Sequence, residues 1–384
     1  MDVADVRIKE HYGLVTNDTS TTQFSFLISP PKGRETIETR DVVCFSHPKF
    51  GDSCQVLAEV KEITSYEEVA GSTIGDRVGK KSATARIIGY VDLRTDARPM
   101  LKLLAPPHPG SRVYMPYASF LEDVINRGTC GEAYSQPLYF GKTEIVGASK
   151  DGEDQQVNYY LDASDLTGRH TLISAMEGAG KTHLTTLIIE EVANKVSYPI
   201  VVLDPNGEYS TIGNSTSREK NSSFNFQASI LRANENVSED AVAKKIRAGQ
   251  VAVFAADDLS FDEKRSCYTN ILNLLVKSRR AKTIPPFLLV VEDAENLPLP
   301  AIQEAMGSKN GIAIIVVSSH PAALGGKVLT NVGNQMVGRI MEPEDLAFLK
   351  NIVEGSDEQL PALRVGEWVI NGINVARPIK VHVR

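Results

Sequence analysis

The chain has 384 residues, enough for two or three domains and a large buried core. Hydrophobic residues make up 42% of it and charged residues 23%, the composition of an ordinary globular protein. The net charge of −7 argues against a protein that binds nucleic acid over its whole surface, because such proteins are usually basic, but it does not exclude DNA. Any contact with DNA is therefore expected to be local, at a loop or a pore lined by basic residues.

Membrane and secretion signals are missing from the sequence. No apolar run approaches the roughly 20 residues of a membrane span, and the first residues lack a charged-then-apolar leader pattern. The cysteines form no C-x-x-C pair, which favours isolated thiols over zinc ligands or disulfides. They are Cys44, Cys54, Cys130 and Cys267. We expect a cytoplasmic protein in a reducing compartment, with no membrane partner.

Short apolar or alternating segments, separated by turn-forming residues, fill the first hundred residues. Their spacing predicts a small β-barrel as the first domain, residues 1–104. The predicted strands are Gly13–Thr16, Gln23–Ser29, Asp41–Phe45, Gln55–Val60 and Ala83–Val91. The polar segment Ser65–Lys81 between the last two is expected to form a mobile insertion. Closely spaced prolines at 105–110 cannot continue regular structure, so the second domain is predicted to be 105–384.

The second domain begins with a helix-like spacing at Ser119–Asn126. Two predicted strands, Pro137–Lys142 and Val157–Asp162, then lead to the segment Thr171–Thr182, which reads TLISAMEGAGKT. This segment fits the phosphate-binding pattern [A/G]-x-x-x-x-G-K-[S/T], with Ala175 where Gly is commoner. A helical apolar pattern from His183 to Val192 follows at once.

The chemistry of a phosphate-binding loop explains these residue types. Glycines let backbone N–H groups close around a phosphate, the lysine reaches the β- and γ-phosphates, and the hydroxyl binds Mg²⁺. A glycine-rich turn with a chance lysine is the alternative, but the flanking strand and helix are what the motif requires. The predicted ATP-binding residues are Ala175, Gly178, Ala179, Gly180, Lys181, Thr182 and His183.

Strands and helices alternate after this loop. The segment Ser210–Asn236 is polar and is expected to be a loop. The predicted strands are Tyr198–Asp204, Gln250–Ala255, Pro286–Asp293 and Ile312–Ser318, and the predicted helices are Glu239–Ala248 and Asp262–Arg280. The expected fold class is α/β: a RecA-like P-loop ATPase core with a doubly wound, mostly parallel sheet, preceded by the small barrel.

A second candidate site lies at the end of the strand that precedes Glu292 and Asp293. In P-loop enzymes one carboxylate here holds the Mg²⁺ shell and another orients the attacking water. We assign Mg²⁺ to Thr182 and Glu292, and the water to Asp293. A strand that simply ends in a charged, solvated turn is the alternative. Arg339 is the candidate for neutralising charge at the γ-phosphate, although its spacing fits a surface arginine equally well.

The order of these motifs resembles the HerA family of hexameric DNA translocases, within the HerA/FtsK branch of P-loop ATPases. Besides the P-loop, the most specific match is Asp204–Tyr209, DPNGEY, against a D-x-x-G-E-Y signature. The sequence departs from the family pattern at two places. At the acidic site the family has an acidic residue, Glu, Ala and His, and this chain has Glu292-Asp293-Ala294-Glu295. At the sensor loop the family commonly has Gln-Arg, and this chain has Ser319-His320. Further matching segments are Pro106–Val113, Arg169–Ser174, Ser318–Leu324, Glu342–Leu346 and Leu363–Gly372.

The resemblance implies a homo-hexameric ring that uses ATP and Mg²⁺ to translocate on double-stranded DNA. It also implies that the barrel, of the family's HAS type, docks a NurA-type nuclease for DNA-end resection in double-strand break repair. The basic residues considered for the pore could each lie equally well on a solvated helix face. They are Lys244, Lys245, Arg247, Arg279 and Arg280.

Two other functions stay open. One is the same kind of motor in viral genome packaging or in an antiviral defence complex. The other is a nucleotide-binding scaffold that hydrolyses ATP poorly and mainly assembles a partner nuclease. The departures at Asp293 and Ser319 support the scaffold, because an aspartate is one methylene shorter than the family's glutamate and a misplacement of about 1 Å costs a factor of about a hundred in rate.

Overall fold

The structure is a computed structural model of the whole chain, and it divides into two compact units. The first unit comprises residues 1–134 and 142–159, and the second comprises residues 135–141 and 160–384. The residues described are 5–29, 37–65, 81–97, 99–128, 131–148, 154–212, 227–232, 243–246, 250–307, 311–350, 352–353, 357–372 and 378–384.

Six antiparallel strands of the first unit form a nearly closed barrel, as predicted. Their order in the sheet is β3-β4-β5-β2-β1-β6. The two ends of this sheet meet where Cys44 of β3 pairs with Tyr114, with both backbone N–H···O distances at 2.8 Å. The strands are β1 (Gly13–Thr19), β2 (Gln23–Ile28), β3 (Val42–His47), β4 (Gly51–Ser65), β5 (Lys81–Asp92) and β6 (Arg112–Val113).

Alternating side chains fill the interior of the barrel. Phe24 and Phe26 of β2 point to the same face because strand side chains alternate, and both are fully buried. The ring of Phe45 meets the ring of Phe24 edge to face at 5.0 Å. Because β6 completes the barrel, the strands of the barrel extend past residue 104. The domain boundary proposed from the prolines stays a prediction. Residues 66–80 of the predicted mobile insertion lie outside the described residues.

The second unit contains the strands β9 to β17 of an eleven-stranded sheet, whose order is β11-β12-β10-β13-β14-β9-β15-β16-β17-β7-β8. Residues 142–148 of β7 and 154–159 of β8 are counted with the first unit. The seven strands from β11 to β15 pair in parallel, and the pairs β15–β16 and β16–β17 are antiparallel. This confirms the predicted α/β class. The strands are β7 (Pro137–Ala148), β8 (Asp154–Asp162), β9 (His170–Ser174), β10 (Ile200–Asp204), β11 (Gln227–Arg232), β12 (Gln250–Ala255), β13 (Phe287–Val291), β14 (Ile312–Ser318), β15 (Val332–Val337), β16 (Glu367–Gly372) and β17 (Ile379–Val383).

Helices pack against the sheet, and the central parallel strands β10, β13 and β14 are buried along their whole length, as continuous apolar runs predict. The 20-residue helix Phe261–Arg280 starts with a capping box in which Ser260 and Glu263 satisfy each other's backbone N–H groups. No helix in the described parts of the chain is long and apolar enough to cross a membrane. The helices are α1 (Ala118–Ile125), α2 (Ala163–Thr167), α3 (Lys181–Lys195), α4 (Phe261–Arg280), α5 (Leu299–Gly307), α6 (Gly326–Leu329) and α7 (Pro343–Leu349).

One predicted loop is wrong in part. Within the polar segment Ser210–Asn236, residues 227–232 form β11, which pairs in parallel with β12 at the edge of the sheet. Residues 228–232 of this edge strand are half-buried or exposed, so the strand lacks the continuous apolar run of the buried strands. Most of the predicted helix Glu239–Ala248 lies outside the described residues, as does Cys130; the other three cysteines are free thiols.

Candidate nucleotide-binding site

The candidate site lies along one edge of the parallel sheet. β10, β13, β14 and β9 are neighbours in that order, and each ends at the same edge because parallel strands share their direction. The loops that leave these four strands therefore meet. They are the turn Asp204–Tyr209, the acidic pair after β13, the segment after β14, and the glycine-rich loop after β9.

The glycine-rich loop between β9 and α3 has the backbone that a phosphate cradle needs. Gly178 and Gly180 have φ angles of +75° and +101°, in the left-handed region that favours glycine. A Cβ atom added at either position would meet nothing within 4 Å, so the backbone conformation, and not crowding, requires glycine. Because the space around the loop is open and α3 begins directly after Gly180, the backbone suits an anion.

Lys181 and Thr182 form the first turn of α3 and contact different partners. The Lys181 Nζ donates hydrogen bonds to the carbonyl oxygens of Ala175 at 3.0 Å and Met176 at 3.3 Å, which keeps the ammonium at the loop. The Thr182 hydroxyl donates to Glu208 Oε2 at 2.5 Å. The structure thus places Glu208 at the hydroxyl, and the assignment of Mg²⁺ to Thr182 and Glu292 stays a prediction.

Ala175, at the first position of the motif, is fully buried, and Ala179 is also buried. Gly338 faces Ala175: a Cβ at Gly338 would lie 2.9 Å from the Ala175 Cβ and 3.2 Å from the ring of Trp368. The methyl group of Ala175 thus fills space that a glycine at 338 leaves. The two small residues are a matched pair at the start of the loop.

His183 contacts the end of the chain. Its Nε2 lies 2.7 Å from the carbonyl oxygen of Arg384, whose guanidinium pairs with Glu191 of the same helix and stacks 5.4 Å from the ring centroid of Tyr139. The side chain of His183 is therefore used in fixing α3 against this segment. Its role in nucleotide binding stays a prediction.

The acidic pair after β13 is held by the turn after β10. Glu292 is 5% exposed, and its carboxylate accepts the hydroxyl proton of the buried Tyr209. Burial raises the pKa of Glu292 to about 8, and the nearby negative charge of Glu208 acts in the same direction. Asp293 has a φ angle of +45°, and its Oδ2 accepts a hydrogen bond from Asn206 Nδ2 at 2.5 Å.

The turn itself is fixed by Asp204, which is fully buried. Its carboxylate oxygens accept the backbone N–H groups of Glu208 at 3.0 Å and of Tyr209 at 2.9 Å. Burial nevertheless raises the pKa of Asp204. Sequence reasoning recognised this turn as a signature but gave no role to Asn206, Glu208 or Tyr209. Their polar character within a motif that follows a buried strand was the available signal.

The segment after β14 is held by acidic groups of the same unit. Glu295 Oε1 accepts the backbone N–H of Ser319 at 2.9 Å, so the residue that replaces the family's histidine fixes this loop. His320 Nδ1 lies 3.3 Å from Asp345 Oδ2, and the other oxygen of Asp345 accepts the Ala322 N–H at 2.9 Å. Sensing of the γ-phosphate by Ser319 or His320 stays a prediction.

Arg339 lies beside the phosphate loop of its own chain. Its carbonyl oxygen accepts the Met176 N–H at 2.8 Å, while its Nη2 lies 3.3 Å from the Met341 sulfur. Its Nε is buried without a hydrogen-bond partner among the described residues. The structure thus brings Arg339 to the predicted site, although its side chain makes no contact there with Glu292 or Asp293.

The basic residues considered for a pore have different surroundings. Arg280 pairs with Glu304 at 3.2 Å, and the Arg279 guanidinium donates to the Ile284 carbonyl oxygen. Lys244 is exposed, Lys245 is half-buried, and Arg247 lies outside the described residues. Arg279 and Arg280 are thus engaged within the chain.

The donor set at this edge fits ATP and Mg²⁺. The open glycine loop and Lys181 suit phosphates, and the Thr182 hydroxyl beside a carboxylate offers the oxygen ligands that Mg²⁺ takes. Among the described residues, no group of three or more His, Cys, Asp or Glu side chains could hold a metal by itself. A nucleotide-bound Mg²⁺ needs only one or two protein oxygens, since phosphates and water supply the rest.

Residues 146–299 match the protein family described as Helicase HerA, central domain. This part of the chain is therefore similar to the HerA helicase family. It is 22% identical to a probable helicase of Methanocaldococcus jannaschii, over 77% of this chain and 76% of the relative. It is 26% identical to the DNA double-strand break repair helicase HerA of Saccharolobus solfataricus, where the match spans 38% of this chain and about a third, 34%, of the relative.

Solved structures also resemble this chain at low sequence identity. VirB4 of Thermoanaerobacter pseudethanolicus is 13% identical with a TM-score of 0.46, over 65% of this chain and 96% of that one. The genome packaging NTPase B204 of Sulfolobus turreted icosahedral virus 2, in complex with AMPPCP, is 19% identical with a TM-score of 0.40. The match covers 56% of this chain and 96% of that one.

The contact between Ala175 and Gly338 predicts how the glycine-rich loop responds to substitution. Gly338→Ala places a methyl group 2.9 Å from the Ala175 Cβ, so we expect it to shift the loop and weaken ATP binding by about tenfold. Adding Ala175→Gly removes that clash and should restore much of the affinity, whereas Ala175→Gly alone should change it little. Titration calorimetry measures this, and equal affinities of the single Gly338→Ala variant and the double variant would contradict it.

The buried Glu292 predicts a pH-dependent stability. The pKa of Glu292, about 8 in the fold, lies above the ordinary value of 4.5. Its contribution to the free energy of unfolding is therefore complete below pH 4.5 and is lost as the pH rises through 8. Glu292→Gln is neutral at every pH and keeps an acceptor for Tyr209. We therefore expect the melting temperature of Glu292→Gln to rise relative to that of the natural protein as the pH increases from 5 to 9.

The control for this comparison is Glu344→Gln, which changes an exposed carboxylate of α7. Its melting temperature should differ from that of the natural protein by the same amount at every pH. A difference for Glu292→Gln that is also constant across this range would contradict the assignment of a raised pKa.

Proposed function

We propose that this chain is an ATP-driven motor that translocates on double-stranded DNA as a homo-hexameric ring. One observation carries the proposal. A phosphate-binding loop and an acidic pair lie on the same sheet edge and are joined by a single turn, which contacts Thr182, Glu292 and Asp293 at once. This arrangement, in a chain similar to the HerA helicase family, fits phosphoryl transfer better than passive nucleotide binding.

Each side chain of the site has a proposed role that matches its position. Lys181 holds the β- and γ-phosphates, and the half-buried Asp293 orients the attacking water. Arg339, beside the loop, neutralises charge that develops on the γ-phosphate. Thr182 and the acidic group that includes Glu292 would hold Mg²⁺, which would supply positive charge at the phosphates.

The DNA, the ring and the nuclease are proposed from the family and not from contacts. Two of the matched relatives are named DNA double-strand break repair helicase HerA, which supports a role in DNA-end resection. We propose that the barrel docks a NurA-type nuclease and that basic residues such as Lys244 and Lys245 contact DNA phosphates. Contacts of this kind make binding independent of sequence and dependent on salt.

A nucleotide-binding scaffold for a partner nuclease is the second candidate. The observation that favours it is the state of the acidic pair: Glu292 is engaged by Tyr209, and the short Asp293 by Asn206. If these contacts persist with nucleotide bound, neither carboxylate is available to the water, and turnover is slow.

Steady-state ATP hydrolysis with Mg²⁺, with and without linear duplex DNA, tests the motor. DNA should stimulate turnover in the natural protein. Lys181→Ala and Asp293→Asn should each lower it by on the order of a hundredfold or more, because they remove phosphate stabilisation and water positioning. The exposed residues Lys350 and Asp262 provide matched controls, since Lys350→Ala and Asp262→Asn should leave turnover unchanged.

The scaffold makes the opposite prediction for the same measurement. Tight nucleotide binding with negligible turnover, unaffected by DNA and by Asp293→Asn, would reject the motor in its favour. Light scattering of the same samples, with and without ATP, reports whether a hexamer forms.

A further inference from the structure

Thr182 and Glu208 form a contact that the expected magnesium site does not contain. The Thr182 hydroxyl gives its only hydrogen to Glu208 Oε2, 2.5 Å away, so the lone pairs of the hydroxyl oxygen stay available to a cation. Both residues are reachable from solvent, and Glu208 is exposed. A carboxylate thus lies next to the hydroxyl that a P-loop offers to Mg²⁺.

The position of Glu208 is built into the backbone. Its N–H is bonded to the buried carboxylate of Asp204, and the next residue, Tyr209, is bonded to the same group. The residue is therefore fixed at its backbone, and only its side chain is free to adjust. This distinguishes it from a surface carboxylate that meets Thr182 by chance.

Glu292 is less suited to the role. It is 5% exposed and already accepts the hydroxyl of Tyr209, which is itself buried. A cation bound at the exposed Glu208 leaves the contact between Tyr209 and Glu292 in place.

We propose that Glu208 supplies the protein carboxylate of the magnesium site beside Thr182, and that Glu292, held by Tyr209, acts as a positioning residue behind it. The proposal rests on the proposed function, since it presumes that ATP binds at the glycine-rich loop.

The chemistry of Mg²⁺ agrees with this pair of oxygens. Mg²⁺ is bound through one or two protein oxygens together with phosphate oxygens and water, and neighbouring oxygens of its octahedral shell are about 3 Å apart. The two oxygens of Thr182 and Glu208 are already near that spacing, so the side chains need only small adjustments. The turn also carries Asn206, bonded to Asp293, so an ion held at Glu208 is linked to the residue proposed to orient water.

Equilibrium binding of a non-hydrolysable ATP analogue, in EDTA and in Mg²⁺, tests the proposal without requiring turnover. In the natural protein Mg²⁺ should tighten binding. Glu208→Gln should bind the metal-free analogue within about twofold of the natural protein but lose at least about tenfold of the tightening by Mg²⁺. Glu292→Gln should keep the tightening within about threefold, and the exposed control Glu344→Gln should match the natural protein.

Manganese provides a second readout. Electron paramagnetic resonance of Mn²⁺ with the analogue should show one bound ion per nucleotide in the natural protein and in Glu292→Gln, and markedly less in Glu208→Gln. Glu208→Asp keeps a carboxylate on a shorter side chain and should be intermediate in both measurements. Melting temperatures without ligand confirm that each variant is folded, which is expected for the exposed Glu208.

The outcomes separate this proposal from the proposed function. If the natural protein binds no nucleotide with or without Mg²⁺, the proposed function fails and this assignment fails with it. If nucleotide binds but Glu208→Gln keeps the full Mg²⁺ effect, or if Glu292→Gln loses it instead, only the assignment of Glu208 is overturned.

Discussion

The buried carboxylate of Asp204 is the constraint on which the rest of the site depends. A carboxylate at the end of a buried strand is costly unless its oxygens are satisfied, and here backbone N–H groups of the following turn satisfy them. That requirement sets the shape of the turn. Because the turn is set, Asn206, Glu208 and Tyr209 reach three different residues of the site. The phosphate loop and the acidic pair are thereby tied together.

The concentration of negative charge at this edge has a consequence for ligands. The acidic side chains Asp204, Glu208, Glu292 and Asp293 are close in space, and burial raises the pKa of Asp204 and Glu292. Those that are ionised would repel nucleotide phosphates and attract a divalent cation. A bound metal and a bound nucleotide would therefore favour each other at this edge, since each neutralises charge that opposes the other.

Local sequence was sufficient where local chemistry decides the structure. The loop glycines, the helix after them and the buried strand before Glu292 follow from backbone conformation and apolar runs, and the structure contains them. The contacts of the turn were beyond this reasoning. Thr182 and Glu208 are 26 positions apart, and Asn206 and Asp293 are 87 apart, so their meeting depends on which strands become neighbours. The order of the strands in the sheet is set by packing of the whole domain, so it cannot be read from any short stretch of the sequence. β11 was missed for the same reason, because its pairing with β12 and not its own polar sequence makes it a strand.

The residues that depart from the family pattern can be explained by the residues that they contact. Asp293 adopts a left-handed backbone, which short Asp and Asn side chains tolerate better than longer ones do, and it meets Asn206 there. Ala175 packs against a glycine at 338, and Glu295 accepts the Ser319 N–H. Each unusual residue thus has a contact that suits it. A single change towards the family pattern would leave that contact unmatched, so the sequence has to be judged by pairs of residues and not by isolated positions.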